Sequence, residues 1–299
     1  MRLKGLTLSI IFEAQSGNYG EGFGNIQVLK KLSRGDGGVY SYISRQALRY
    51  NIINQLGWDN TPVEGAGGGA KKVVQFAPSA KISDYPEIDL FGYMKTAKGE
   101  SGNSRSAIVR LSHAIALENY HAEMDYLTNM ALSSRGKNLD NSISQSEIHQ
   151  SFYAYTITID LDRVGKETDQ TGTVTEEIPD AEKAARVVKL LKTVQFLYRD
   201  IKGRRENLAP VFAIGGVYNR KNPYFEGRLR LNKCSLDTGI IKEMFKDEDV
   251  RENTLVGLLD GILDNSTKIK DDLVAVDINS LFDELKGKVE GYYSEGNKN

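Results

Sequence analysis

Between residues 152 and 162, Tyr153, Tyr155, Ile157, Ile159 and Leu161 fall at every second position, with Thr156, Thr158, Asp160 and Asp162 among the residues between them. A period of two fits one local structure, a strand with one apolar and one polar face. Such a pattern also fixes register, because a slip of one residue would turn every side chain to the wrong face. Residues 3–13 repeat it, with Leu6, Leu8, Ile10 and Phe12 against Thr7 and Ser9. Two strands of this kind demand a layer to cover their apolar faces. Two helical stretches supply it. Residues 44–57 place Leu48, Ile52 and Leu56 on one face. Residues 180–201 place Ala184, Val187, Val188, Leu191, Val194 and Tyr198 at i, i+3, i+4 spacing, with Lys183, Arg186, Lys189, Lys192 and Arg199 on the other faces.

Shorter strand candidates lie at 88–94, 105–117 and 208–218, and two helices near 250–264 and 278–290 close the chain. With insertions removed, the order is strand–helix–strand followed by strand–helix–strand. This α+β order predicts one ferredoxin-like or RRM-type domain spanning 1–299 with long loops spliced in. The insertions are a Gly- and Asn-rich loop from Gln15 to Gly38, the segment 60–84 broken by Gly65-Ala-Gly-Gly-Gly69, and a polar projecting loop at 128–150.

Net charge is −1 over 299 residues, yet it is unevenly placed. Residues 183–233 hold thirteen Lys/Arg against three Asp/Glu, and residues 1–58 hold seven against three. The blocks 141–182 and 234–299 each carry a net −7. Phosphate binding answers to local potential, screened over about 8 Å at physiological salt, so this pattern permits an RNA partner. It also suits copies of one chain packing head to tail. Cys234 is the only cysteine, which excludes an internal disulfide, and the three histidines have no metal spacing. No apolar run is long enough to span a bilayer and no signal-peptide core follows Met1, so a cytoplasmic protein is expected.

Signatures of catalysis are sparse. Gly20-Glu-Gly-Phe-Gly24 and the 65–69 glycines lack the Gly-Lys-Ser/Thr ending of a phosphate loop, and no Gly-x-Ser-x-Gly or His-Glu-x-x-His occurs. Neither cofactor nor metal is expected. Asp160 and Asp162 share a strand face, which a solvated polar surface explains. Asp36, in Arg34-Gly-Asp36-Gly-Gly38, reads as a turn aspartate. The densest constellation is Tyr42-Ile-Ser44-Arg45-Gln46-Ala-Leu-Arg49. Ser44 stands at a helix N-cap, where first-turn N–H groups and the positive end of the dipole converge. Gln46 and Arg49 project beside it, off the apolar face. A hydroxyl, an amide and a guanidinium at a helix start suit a phosphate, and they equally suit an ordinary capped helix.

The Ser44-x-Gln46-x-x-Arg49 helix, after a first strand and a Gly-rich loop, resembles the Cascade backbone subunits, the Cas-seven family in its DevR-like type I-B branch. Glu87-Ile-Asp89-Leu90-Phe91-Gly92-Tyr93-Met94 is similar to that family's Asp-x-x-Phe-Gly-Arg-Met signature, with Tyr93 replacing the arginine. Leu111-Ser-His113-Ala114-Ile115-Ala116, Glu123-Met-Asp125-Tyr126-Leu127 and the Phe152-Tyr153-Ala154-Tyr155 strand match further family segments in the same order. The resemblance spans roughly residues 3–217.

It implies a modified RRM-like palm with a finger insertion at 60–84 and a thumb at 118–150, a right-hand shape. It also implies that copies assemble head to tail along a CRISPR guide RNA (crRNA) beside other Cascade subunits, leaving the guide's bases free to pair with target DNA. Ser44, Arg45, Gln46 and Arg49 would hold phosphates, and Phe91, Gly92, Tyr93 and Met94 would lie against the strand, Met94 wedging between bases. Gly215 and Gly216 would form a glycine loop that lets RNA approach closely. Lys202, Arg204 and Arg205 are further phosphate candidates on charge alone. The family's basic residue before the Ser-x-Gln helix is absent, Tyr40 and Tyr42 standing there, so Lys30, Lys31 or Arg34 would have to replace it. On this reading the chain is not an enzyme. Two alternatives stay open: a type III-like subunit cutting target RNA with Asp36 and a metal, and a stand-alone RNA-binding protein using exposed aromatics of an RRM sheet.

Overall fold

The computed structural model of the chain describes residues 4–15, 17–66, 72–95, 103–169 and 171–295. In chain order its centre is built from β1 (Gly5–Ala14), α1 (Arg45–Leu56), β2 (Val109–Leu111), β3 (Ser151–Asp160), α2 (Asp180–Gln195) and β4 (Phe212–Tyr218). The strands pair antiparallel in the order β4–β1–β3–β2. Each helix therefore carries the chain past a neighbouring strand, a split β-α-β connectivity within a larger mixed α+β fold. At one edge β5 (Thr254–Leu258) pairs with β4, and Val276–Asp277 lies parallel to β5. At the other edge Ala114–Ala116, Val39–Ile43 and Lys31–Ser33 bring the sheet to nine strands. The C-terminal helix α3 (Ile278–Glu295) packs beside α2.

Register follows the alternation. Leu8 pairs with Ile157, Ile10 with Tyr155 and Phe12 with Tyr153, all buried on one face. Leu48 and Ile52 of α1, Val187, Leu191 and Val194 of α2, and Leu281, Leu285 and Val289 of α3 cover that face. Each such side chain contributes about 1.5–3 kcal/mol by leaving water. The opposite face is polar at its centre, where the Ser9 and Thr156 hydroxyls lie 2.7 Å apart. Towards β4 it becomes apolar, with Phe212, Ile214 and Tyr218 buried under Tyr224, Phe225, Ile241 and Ile269. The coverage stops short of β2, and an open cleft remains over Thr7, Thr156 and Thr158.

Several expected elements differ. Residues 88–94 are mainly helix: Pro86 opens Pro86–Phe91, its missing N–H costing nothing in a first turn, and Gly92 ends the helix at φ +73°. The helix expected over 180–201 stops at Gln195, and the chain turns into a hairpin of Tyr198–Ile201 and Arg204–Asn207. The helix expected at 250–264 is short (Glu248–Asn253) and gives way to β5, because its apolar run is consumed in pairing with β4. The segment expected as a projecting loop is a hairpin of Glu123–Thr128 and Ile143–Ile148, with the short helix Met130–Ser133 at its tip. Ile26–Leu29 and Tyr19–Phe23, expected to be loop, join it in a four-stranded sheet. Within 60–84 the strands Val63–Ala66 and Val73–Phe76 form a hairpin, while Gly67, Gly68 and Gly69 lie outside the described residues.

One buried ionic cluster ties the insertions to the helices. Asp89 is fully buried, and its carboxylate accepts from Arg105 at 2.7 Å, Arg186 at 2.9 Å and the Gly165 N–H at 3.0 Å. Arg186, from α2, also donates to the Ile82 and Ser83 carbonyls. Removing the shared anion would strand two buried guanidinium groups. Asp89→Ala is expected to lower unfolding free energy by about 3–5 kcal/mol in urea titrations, whereas exposed Asp84→Ala should stay within about 0.5 kcal/mol.

Candidate nucleic-acid interface

Helix α1 begins in a fixed pose. Ser44 takes an extended backbone (φ −65°, ψ 147°), and its hydroxyl accepts the Ala47 N–H at 3.2 Å. Its own N–H donates to the Asn18 side chain at 3.2 Å. The Arg45 N–H donates to Nδ1 of His113 at 3.1 Å, and the His113 ring lies 5.1 Å from Tyr42. Burial lowers the His113 pKa, and the charges of Arg45 and Lys30 lower it further, so the ring stays a neutral acceptor at physiological pH. The strand Val39–Ile43, Asn18 and His113 thus aim the first turn. Ser44 is buried and occupied as a cap, while Arg45 and Gln46 are exposed.

Arg49, one turn further on, joins this helix start to the second motif. Its guanidinium lies 5.1 Å from the Phe91 ring and 3.8 Å from Glu87. Phe91 and Gly92 are buried, correcting the expectation that they touch a ligand directly. Phe91 is the floor under Arg49. Gly92 has φ +73°, and a Cβ there would sit 2.4 Å from the Arg105 carbonyl, so the tight turn admits only glycine. What the turn presents is Met94, 70% exposed on the strand Tyr93–Lys95. Tyr93 is partly committed: Lys95 Nζ covers its ring at 4.1 Å, and burial with the charge and hydrogen bond of Glu167 raises its pKa to about 12.

Arg45 also forms part of the rim of the cleft, whose volume is about 1120 Å³. Its floor is the polar sheet face, and Arg34, Arg110, Lys221 and Arg230 line it further. Asp160, at the end of β3, gathers Arg110 at 3.0 Å, Arg163 at 3.4 Å and Lys221 at 3.9 Å. Lys221 also reaches Asp162 at 2.5 Å, in the turn Leu161–Arg163 rather than on the strand. Arg45 and Arg230 are exposed and have no carboxylate partner among the described residues. Arg110, Lys221 and Arg230 were not singled out by sequence reasoning. Arg110 carried a signal, a cation at the polar position of Val109-Arg110-Leu111; Lys221 and Arg230 sit in aperiodic chain and carried none.

Of the residues considered as replacements for the family's basic position, Lys31 is drawn to Glu147 at 2.7 Å, whereas Arg34 lies over Tyr40 at 4.2 Å and lines the cleft. Asp36 lines it too, with one oxygen accepting the Gly38 N–H at 2.8 Å and the other the Tyr40 hydroxyl at 2.7 Å. Gly215 and Gly216 are not in a loop. They lie buried inside β4, where a Cβ would sit 2.0 Å from the Thr7 carbonyl or 1.9 Å from the Asn253 carbonyl. Their bareness admits neighbouring protein backbone, not RNA. Lys202, Arg204 and Arg205 form a separate basic tip on the 198–207 hairpin. Lys202 donates to Ser146 at 2.9 Å and to Gln27, Arg204 pairs with Glu206 and Gln15, and Arg205 pairs with Asp200 at 2.8 Å. Among the described residues no group of three or more His, Cys, Asp or Glu is placed to hold a metal ion, and no helix is long and apolar enough to cross a membrane.

These features define a mixed α+β protein whose large sheet has a cation-lined cleft on one face and a rigid, capped helix start on its rim. The sequence matches the family described as CRISPR-associated negative auto-regulator DevR/Csa2 over residues 6–235, and the chain belongs to that family. A search of the curated proteins finds no match. Among solved structures, a chain described as "CRISPR RNA-guided surveillance complex, pre-nicking" superposes with a TM-score of 0.62 at 11% identity, covering 95% of this chain and all of that one. Another, described as "CRISPR RNA-guided surveillance complex", superposes with a TM-score of 0.55 at 14% identity, covering 98% and 99%. At these identities the likeness is one of fold.

The Asp160 cluster has a pH signature. Burial alone would raise its pKa, but the hydrogen bond from Arg110 and the charges of Arg110, Lys221 and Arg163 hold it below the usual aspartate value. Its contribution to stability is therefore present above about pH 3.9, the unfolded value, and is lost as pH falls through the lower folded value. Urea unfolding between pH 2 and 7 should show that Asp160→Asn flattens the acid limb relative to wild type. An unchanged limb would mean the cluster is not coupled to folding.

Proposed function

We propose that this chain is a guide-RNA-binding backbone subunit of a type I CRISPR interference complex, in the DevR-like type I-B branch. On this reading the β1–β4 sheet and its helices are an RRM-like palm, the Val63–Phe76 hairpin belongs to the finger, and the Glu123–Ile148 hairpin is the thumb. Copies line up head to tail along the crRNA beside other subunits of the complex. The guide's phosphates are held while its bases stay free to pair with target DNA, a division that makes binding largely independent of guide sequence. The observation that carries the reading is the contact of Arg49 with Phe91. It joins two motifs about forty residues apart, the helix start that carries Arg45, Gln46 and Arg49 and the segment that carries exposed Met94, and Arg45 of that helix start lines a cationic cleft. The family membership and the surveillance-complex descriptions of the fold neighbours support it. An unbranched, exposed methionine suits insertion between bases. On this reading the subunit grips and performs no chemistry, and the hydrogen bonds that Asp36, the one acid with a nuclease precedent in the resemblance, accepts from Gly38 and Tyr40 support a structural role for it.

Native mass spectrometry of the purified chain with a guide-length RNA tests this. Several copies should load on one RNA, and the Ser44→Ala/Gln46→Ala/Arg49→Ala variant, verified as folded, should lose loading. Single-copy or absent loading by the wild type would contradict the backbone assignment. In salt titrations, Arg45→Ala should reduce the slope of log affinity against log salt by about 0.7, the value for one phosphate contact on a single strand.

A further inference from the structure

Aromatic rings stand in water on α1, at the end of α2 and on the hairpin that follows it. Tyr50 is 69% exposed, Phe196 59% and Tyr198 36%, in a protein that buries most of its large apolar side chains. Phe196 and Tyr198 sit inside the most basic stretch of the chain, residues 183–233 with thirteen Lys/Arg against three Asp/Glu, and Tyr50 lies in the other basic block, residues 1–58 with seven against three. Arg205 lies over the Tyr198 ring at 4.5 Å, and Lys192 is exposed on the last turn of α2 just before Phe196.

The placement is continuous with the helix start described above. At 100° per residue, Tyr50 stands 100° around α1 from Arg49 on one side and 140° from Gln55 on the other. Arg49 rests on Phe91, three residues before Met94. Gln55 is bonded to the Tyr198 backbone in both directions, its amide donating to the carbonyl at 2.5 Å and accepting the N–H at 3.3 Å. Tyr50 therefore lies on the exposed face between the two motif ends. Gln46, Tyr50 and Asn54 follow one another at i, i+4 on that face, all exposed. From Ser44 to Gln55 the helix rises roughly 16 Å.

We infer that Tyr50 and the Phe196/Tyr198 pair form a stacking platform for unpaired bases of a single-stranded polynucleotide, extending the grip at the α1 start across the helix to the basic 198–207 hairpin. This rests on the guide-RNA reading and adds base stacking to it. Exposed rings interleaved with cations are the means by which proteins hold single strands without reading sequence, since every base has a π face. A protein partner would equally cover exposed rings. The concentration of positive charge around Phe196 and Tyr198, with a guanidinium already stacked on Tyr198, favours a polyanion with planar bases.

Fluorescence anisotropy with a labelled 20-nucleotide RNA and a strand of equal length carrying abasic sites decides the matter. Tyr50→Ala and Tyr198→Ala should each weaken binding of the full RNA about 5- to 100-fold, leave the salt slope unchanged and have little effect on the abasic strand. Tyr50→Phe should bind like wild type. Equal losses on both strands, a changed salt slope, or no loss at all would overturn the platform while leaving the guide-RNA reading intact. Normal RNA binding by the variants with altered sedimentation of the RNA-free protein would assign the rings to a protein contact instead, and also overturn it. Failure of the wild type to bind either strand would bring down the guide-RNA reading and this inference together.

Discussion

A single buried carboxylate, Asp89, holds together parts of the chain that the sheet alone would leave independent. Two guanidinium groups and a backbone N–H converge on it, from the strand Asn103–Arg105 that pairs with Tyr93–Lys95, from α2 and from the turn after β3. A buried ion pair is seldom a net source of stability, because desolvation offsets most of the attraction. Its strength here is geometric. Every lone pair that matters is matched by a donor fixed on a different element, so only one arrangement of those elements satisfies them all. The Pro86–Phe91 helix and the Gly92 turn are locked as a consequence, and with them the position of Met94 and the floor on which Arg49 rests. The acid that stands in a signature for RNA contact thus acts two steps from the surface.

The second constraint is electrostatic. A chain of net charge −1 can present a cationic cleft because the cleft gathers five Lys/Arg against three Asp/Glu while other acids pair with cations elsewhere. Glu147 takes Lys31, Glu177 and Asp180 take Lys183, and Glu206 takes Arg199. Asp160 and Asp162 hold Arg110 and Lys221 in place at the floor without removing them from water. At the rim, Arg45 and Arg230 have no such partner among the described residues. Each free cation on a fixed backbone is available to a phosphate at little cost in ordering.

The sheet was legible from sequence because β1 and β3 alternate without a break, and α1 and α2 because their apolar residues keep helical spacing. The motif at Ser44–Arg49 was legible for the same reason: a cap and a periodic helix leave few places for its polar side chains to go. Other parts were not. The apolar residues of β5 form a run too short to carry a period, and only pairing with β4 decides them. The family resemblance implies a glycine loop at Gly215 and Gly216; inside β4 they are demanded by backbone packed within about 2 Å of where a Cβ would go. Phe91 and Asp89 fall in a motif that the resemblance marks, but whether a motif residue touches ligand or supports one that does is set by tertiary burial. Lys221 and Arg230 reach the cleft through aperiodic chain, which no local rule positions.

The central claim is that the α1 start and the Gly92–Met94 turn act as one surface on one strand. Photo-crosslinking from benzoylphenylalanine at position 46 and at position 94, with the crosslinked nucleotides mapped on a saturated guide-length RNA, tests it most directly. The account predicts crosslinks from both positions, to nucleotides within one or two of each other, and none from a control at Leu259 on the far edge of the sheet. Crosslinks from only one position, or from both to distant parts of the RNA, would contradict it.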